Sequence, residues 1–233
     1  MPEGIGMSRP MVRCVRIDAD LASDFRIVEV ADELIPAVQR SNFLCCDGAW
    51  IKRFPVGTPH LDRAWANFGR LIVPWLRQMV GLDPVPWRET LILLCQRLTA
   101  AGVDWWLTGS AALAVRGIAL EPGDLDLVVS GADARRVGDV IVDGLVEPVA
   151  PAEWFCEWWG RAVLGARVEW VGGVGQSADD PEPTDFGLVA ASELEVIRWL
   201  DWDLRVPPLA LQRAVSVRRG LPDRLRLIDG FTR

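Results

Sequence analysis

The stretch Val103–Ser130, VDWWLTGSAALAVRGIALEPGDLDLVVS, decides how the chain is read, because two short apolar runs end in polar signals. The run DLDLVVS has the length and composition of a strand, whose side chains alternate in direction, so Asp124 and Asp126 share one face and Leu125 and Leu127 the other. Two carboxylates side by side repel unless a proton or cation neutralises them, and hard divalent ions such as magnesium prefer oxygen ligands of this kind. Upstream, Gly109-Ser110 closes the strand VDWWLTG and opens the short helix SAALAVRG. That junction offers backbone N–H groups and a hydroxyl to a phosphate, and a glycine lets the backbone come close. Each half has an ordinary alternative: Ser110 as a helix N-cap, Asp124 as the end of the EPG turn, Asp126 as a surface ion-pair partner.

Outward from this stretch, the composition bounds the chemistry. The chain has 233 residues, half of them apolar, enough for a sizeable core in one large domain or two small ones. No apolar run reaches the ~20 residues a membrane span needs, and no basic-then-apolar pattern opens the chain, so a soluble cytoplasmic protein without membrane attachment is expected. The five cysteines, Cys14, Cys45, Cys46, Cys95 and Cys156, are odd in number, have no CxxC spacing and are accompanied by one histidine, His60. That argues against a zinc site and a disulfide framework. The formal charge is -7; residues 1–85 hold 10 basic and 10 acidic side chains, so the excess lies in the part that holds Asp124 and Asp126. A net negative surface disfavours long nucleic acid, whose binding rests on many contacts from basic side chains to phosphate.

The chain divides near Pro84 and Pro86 into an N-terminal accessory module, residues 1–85, of unknown role and a domain over residues 86–233. The first part reads as short strands in MVRCVRIDAD and FRIVEV, a helix through DELIPAVQR and a hairpin in NFLCCDGAWIKRF. A long amphipathic helix follows, with Leu61, Trp65, Phe68, Leu71, Ile72, Trp75, Leu76 and Met79 on one stripe. The second part reads as the helix WRETLILLCQRLTAAG, the stretch already described, a helix through ADARRVGDVIVDG, and a hairpin of GRAVLG and ARVEWVGGV turning at Gly165. A polar loop, GQSADDPEPTD, then leads to one bent strand in LEVIRWLDWDLRVPP and two closing helices.

Leu107-Thr108-Gly109-Ser110, a helical spacer and Asp124-Leu125-Asp126-Leu127 together resemble the signature of the nucleotidyltransferase superfamily with the polymerase-β-type fold. The wider stretch is most similar to small lincosamide- and aminoglycoside-type members, and LGARVEWVGG resembles their third motif, which nominates Glu169. The resemblance covers roughly residues 87–233. It implies an α+β fold, a mixed β-sheet flanked by helices, beside a mixed and partly helical N-terminal module. It further implies an enzyme that transfers a nucleoside monophosphate, AMP by expectation, from ATP or another triphosphate to a hydroxyl of a small acceptor. One or two Mg2+ ions would be held by Asp124 and Asp126. Glu169 would be general base or third ligand, and Gly109, Ser110 and Arg116 would hold phosphate. The alternative is an antitoxin-like or protein- or tRNA-modifying member acting with a macromolecular partner. Glu169 beside Arg167 also reads as an ordinary strand ion pair, Arg116 as a surface arginine, His60 as a cap or surface residue and most of the twelve tryptophans as core. Asp179, Asp180, Glu182 and Asp185 read as solvated, and the apolar stripe of residues 1–85 as a wall of the acceptor cleft.

Overall fold

The computed structural model describes residues 11–231. The chain opens with β1 (Val12–Asp18), β2 (Ala22–Val30), α1 (Ile35–Arg40), β3 (Leu44–Cys46) and β4 (Ala49–Pro55), whose strands form an antiparallel sheet ordered β1-β2-β4-β3. The amphipathic helix α2 (Leu61–Met79) lays Phe68, Ile72, Trp75 and Leu76 into the core, and Phe25 of β2 packs among Phe54, Trp65 and Phe68. Then come α3 (Trp87–Ala100), β5 (Trp105–Thr108), α4 (Gly109–Val115), β6 (Leu125–Val129), α5 (Gly131–Val140), β7 (Leu145–Pro151), β8 (Cys156–Val163) and β9 (Arg167–Val174). The chain closes with α6 (Leu188–Ser192), β10 (Glu195–Trp199), β11 (Trp202–Val206), α7 (Leu209–Arg218) and α8 (Pro222–Phe231). No described helix is long and apolar enough to cross a membrane.

The second sheet, ordered β5-β6-β9-β8-β7, sets the site. Its β6–β9 pair is parallel and the other neighbours antiparallel, the mixed α+β arrangement that the resemblance implies. Because register is fixed, side chains segregate by parity. Leu107, Leu127, Trp170 and Ala162 enter the large core shared with Phe25, Trp75 and Leu94. Trp106, Val128 and Val171, one position along, form a smaller cluster on the opposite face. On that face a polar row also crosses the whole sheet: Thr108 pairs with Asp126, Asp126 with Glu169, Glu169 with Arg161 and Arg161 with Glu147.

Three elements depart from the sequence reading, the first being the short helix α6, in a stretch to which no element was assigned. Strand β7 was not expected, and Pro148 and Pro151 within it explain why: proline cannot donate to a ladder and is confined to edges and bulges, and β7 is an edge strand with two register shifts. The stretch read as one bent strand is instead the hairpin β10-β11, turning at Leu200-Asp201 with Leu200 at φ 51°. The N-terminal part packs on the β7 edge, mainly through α2. It does not wall the cavity described next, which opens at the β5, β6 and β9 side of the sheet and which no described residue before Thr108 lines.

Candidate active site

A cavity of about 290 Å³ is lined by Thr108, Gly109, Asp124, Asp126, Glu169, Asp185 and Arg219, with Phe155, Trp159 and Phe186 as aromatic wall. The local sequence explains the first three. Strand β5 ends at Thr108, whose hydroxyl donates to the Asp185 carbonyl, so no side chain caps α4 and its first N–H groups stay available. Gly109 follows at φ 64°, and a Cβ there would sit 2.4 Å from Asp126 Oδ2. Only glycine provides both the left-handed backbone and the room. Gln212 of α7 fixes this turn by donating to the Gly109 carbonyl at 3.0 Å.

The structure brings Asp124, Asp126 and Glu169 to one cavity, as the strand alternation and the β6–β9 register require. Their electrostatics differ. Asp126 is half-buried, and its carboxyl is pushed well above the usual range by burial first, then by the charges of Asp124 and Glu169. Burial also pushes Glu169 upward, but Arg161 and Arg167 outweigh it and hold the carboxyl below its ordinary value. Arg161 Nε donates to Glu169 Oε1 at 2.7 Å, and Arg161 also pairs with Glu147, which lies 3.3 Å from Lys52 of β4. Arg167 joins Asp124 to Glu169, hydrogen-bonded to the first and 3.3 Å from Oε1 of the second. Lys52, Arg161 and Arg167 thus pair with Glu147, Glu169 and Asp124, whereas Asp126 and Asp185 make no ion pair among the described residues and meet the positive charges of Arg219 and Arg224 only through space.

Ser110 is half-buried next to Gly109 but does not line the cavity. Arg116 is not brought to it: its guanidinium is 2.5 Å from both the Pro207 carbonyl and Glu195 Oε2, tying α4 to the segment before α7 and to β10. His60 caps α2 in position only, with Nε2 2.6 Å from Asp139 Oδ1. Asp185 is not solvated as expected; it is 6% exposed and burial raises its carboxyl. Asp179, half-buried, accepts from the backbone N–H groups of Thr184 and Val189 and so shapes this loop.

Three functional candidates escape sequence reasoning. Arg219 lines the cavity, and Arg224 of α8, half-buried, feels Arg219, Asp185, Asp124 and Asp126 while making no ion pair among the described residues. Burial and the neighbouring Arg219 both lower the Arg224 guanidinium. Neither stands out in a tail rich in arginine. Arg161 did carry a signal, a charge inside the apolar run GRAVLG that only a buried partner would tolerate.

The donor set fits a hard divalent cation: oxygens only, with two carboxylates, Asp126 and Asp185, outside any ion pair among the described residues, and with Asp126 raised by burial first and then by its carboxylate neighbours. As they stand, no three His, Cys, Asp or Glu side chains among the described residues are gathered to ligate one ion, since Asp124 and Glu169 engage Arg167.

No family model matches the chain, and no curated protein matches its sequence. Solved structures that match include a candidate nucleotidyltransferase from Thermotoga maritima, 17% identical with a TM-score of 0.46, covering 62% of this chain and 91% of that one. The lincosamide antibiotic adenylyltransferase LnuA, lincomycin-bound, is 12% identical with a TM-score of 0.41, covering 56% and 85%. The antibiotic-resistance factor ANT(2'')-Ia is 12% identical with a TM-score of 0.40, covering 62% and 85%.

Proposed function

We propose that the chain is a divalent-cation-dependent nucleotidyltransferase. It moves a nucleoside monophosphate, with AMP from ATP as the first pair to test, onto a hydroxyl of a small acceptor. The observation that carries this reading is the meeting of Asp124, Asp126 and Glu169 from two parallel strands beside the Gly109 turn. In the reaction the acceptor oxygen bonds to the α-phosphorus, the bond from phosphorus to the bridging oxygen breaks, pyrophosphate leaves and the hydroxyl gives up its proton. Asp124 and Asp126, with Glu169 as third ligand, would hold Mg2+, which supplies charge stabilisation at the transferring phosphoryl group. Gly109 lets the backbone approach the donor, and Arg219 lines the cavity with positive charge for the outer phosphates, to which Arg224, within electrostatic reach of Asp124, Asp126 and Asp185, adds. Glu169 is placed here as ligand rather than base, because a carboxylate that two arginines hold below its usual range accepts a proton poorly. Residues 86–233 carry this chemistry, and residues 1–85 act as an accessory module that braces the β7 edge.

The test is thermal denaturation with each nucleoside triphosphate, with and without magnesium. A triphosphate at ~100 times its dissociation constant should add ~2.7 kcal/mol of stability, and only with the metal present. Equal stabilisation in excess chelator would remove the metal from the reading. Glu169→Gln sharpens the assignment: loss of binding in parallel with pyrophosphate release marks a ligand, whereas retained binding with a rate lowered ~10²–10⁴-fold marks a base. Magnesium-ATP binding without turnover on any pooled polyol or aminoglycoside would favour a macromolecular acceptor.

A further inference from the structure

The two arginines that meet Glu169 are not equivalent. Arg161 is 2% exposed, is engaged by carboxylates on both sides and lies over the Trp75 ring, 4.9 Å from its centroid. Nothing about it is unsatisfied. Arg167 reaches across from β9 to Asp124 and is 15% exposed. Its Nε is buried without a partner, and its Nη1 touches the Met79 sulfur at 3.7 Å. Next to Met79, Gln78 donates to the Gly165 carbonyl at 2.8 Å while its own Oε1 is buried without a partner. An incompletely bonded cation therefore lies against the helix segment that carries an incompletely bonded acceptor. Buried polar atoms left unpaired forfeit the hydrogen bonds they had in water, so the present position of Arg167 is one that another arrangement can rival.

We propose that Arg167 is an internal counter-cation that holds Asp124 and Glu169 while no metal is bound and gives them up, moving toward Gln78, when a divalent cation enters. The inference rests on the metal-site reading above and adds to it a mechanism of cation exchange. Asp126 faces like charge on Asp124 and directly opposite on Glu169, a pairing that is unfavourable in a sheet without a cation. Arg167 pairs with the outer two carboxylates and not with Asp126, so an entering ion gains all three ligands by displacing one side chain. The affinity of the site for metal is then set by a residue that is not itself a ligand.

The experiment titrates Mn2+ into wild-type protein and Arg167→Met without nucleotide, by calorimetry, and reads Arg167 accessibility in the wild type by phenylglyoxal labelling and peptide mass spectrometry. Arg167→Met should bind Mn2+ at least ~10-fold more tightly, and should melt at a lower temperature without metal, since Asp124 loses its counter-ion and Glu169 one of its two. In the wild type, Mn2+ should increase labelling at Arg167 and leave that at Arg161 unchanged. Equal affinity in the two proteins, or Arg167 protected by the ion, would overturn the exchange while leaving the metal site standing. No Mn2+ binding by either protein would remove the metal site and the exchange with it. The labelling arm decides the matter even where Arg167→Met folds poorly.

Discussion

Two aspartates, one in each of the two larger sheets, show how differently the fold can house a carboxylate. Asp24 of β2 is 4% exposed, yet two arginines reach it: Arg53 through both guanidinium arms at 2.7 and 3.0 Å and Arg26 at 2.7 Å. Those bonds, Arg53 first, hold its carboxyl down at about 2. Asp126 of β6 retains more exposure than Asp24 and has no arginine in contact among the described residues, and its carboxyl moves the opposite way. Exposure does not distinguish the two; what surrounds them does. Asp24 is covered by its own cations, whereas Asp126 has apolar core below it and carboxylates beside it. Carboxyls perturbed in this way cluster at functional sites.

The contrast can be broken most severely at Asp126. Asp126→Asn should lower pyrophosphate release by ~10³-fold or more, because several kcal/mol of charge stabilisation at the phosphoryl group are lost with the ligand. The folded protein should melt at the same or a higher temperature, since one of several repelling charges is gone. A variant that unfolds would place Asp126 with Asp24 among structural residues. Gly109→Ala tests the neighbourhood of the same carboxylate. A methyl 2.4 Å from Asp126 Oδ2 must push the carboxylate aside, and the left-handed backbone adds strain. Triphosphate affinity with magnesium should fall ~10-fold or more, a loss of ~1.4 kcal/mol in binding, together with about 1–2 kcal/mol of stability. Retained affinity would separate Asp126 from the nucleotide.

The smallest effect is expected at Asp24 and with the opposite signature. Asp24→Asn should cost about 1–2 kcal/mol, read by urea denaturation, and leave magnesium-triphosphate binding unchanged. The pH dependence follows from the direction of the shift. The unfolded chain protonates near the ordinary value of 3.8 and the folded chain only near 2, so the Asp24 contribution is complete above about pH 4 and is lost as pH falls toward 2. Wild-type and Asp24→Asn stabilities should therefore converge in acid. A gap that persists below pH 2 would mean that packing, not charge, is what Asp24 supplies.

Much of the site is legible in sequence because it depends on local rules. Strand alternation puts Asp124 and Asp126 on one face, a glycine after a strand marks a close approach, and β9 was recognisable by its composition, whereas Glu169 was nominated by the resemblance of LGARVEWVGG to a family motif. Arg116 was legible only as a charge near the motif, and its bonds to Pro207 and Glu195 depend on where α7 and β10 arrive. Asp185 was read as solvent-facing because its loop is polar, yet the Thr108 hydroxyl draws that loop over the cavity. Strand β7 was hidden by its prolines, and without it the row that ends at Glu147 and Lys52 has no visible course.

The sequence by itself determined the periodic helices, the carboxylate pair, the glycine turn and the charge excess of the second part. These follow from side-chain direction and backbone freedom over a few residues. Only the tertiary structure decided which charges balance which. Lys52, Glu147, Arg161, Glu169, Arg167 and Asp124 come from six separate positions along the chain, and strand order and register make them one network. Coulomb interactions act through space at a few ångströms, and no spacing along the sequence encodes that Asp126 and Asp185 are the cavity carboxylates without an ion pair among the described residues.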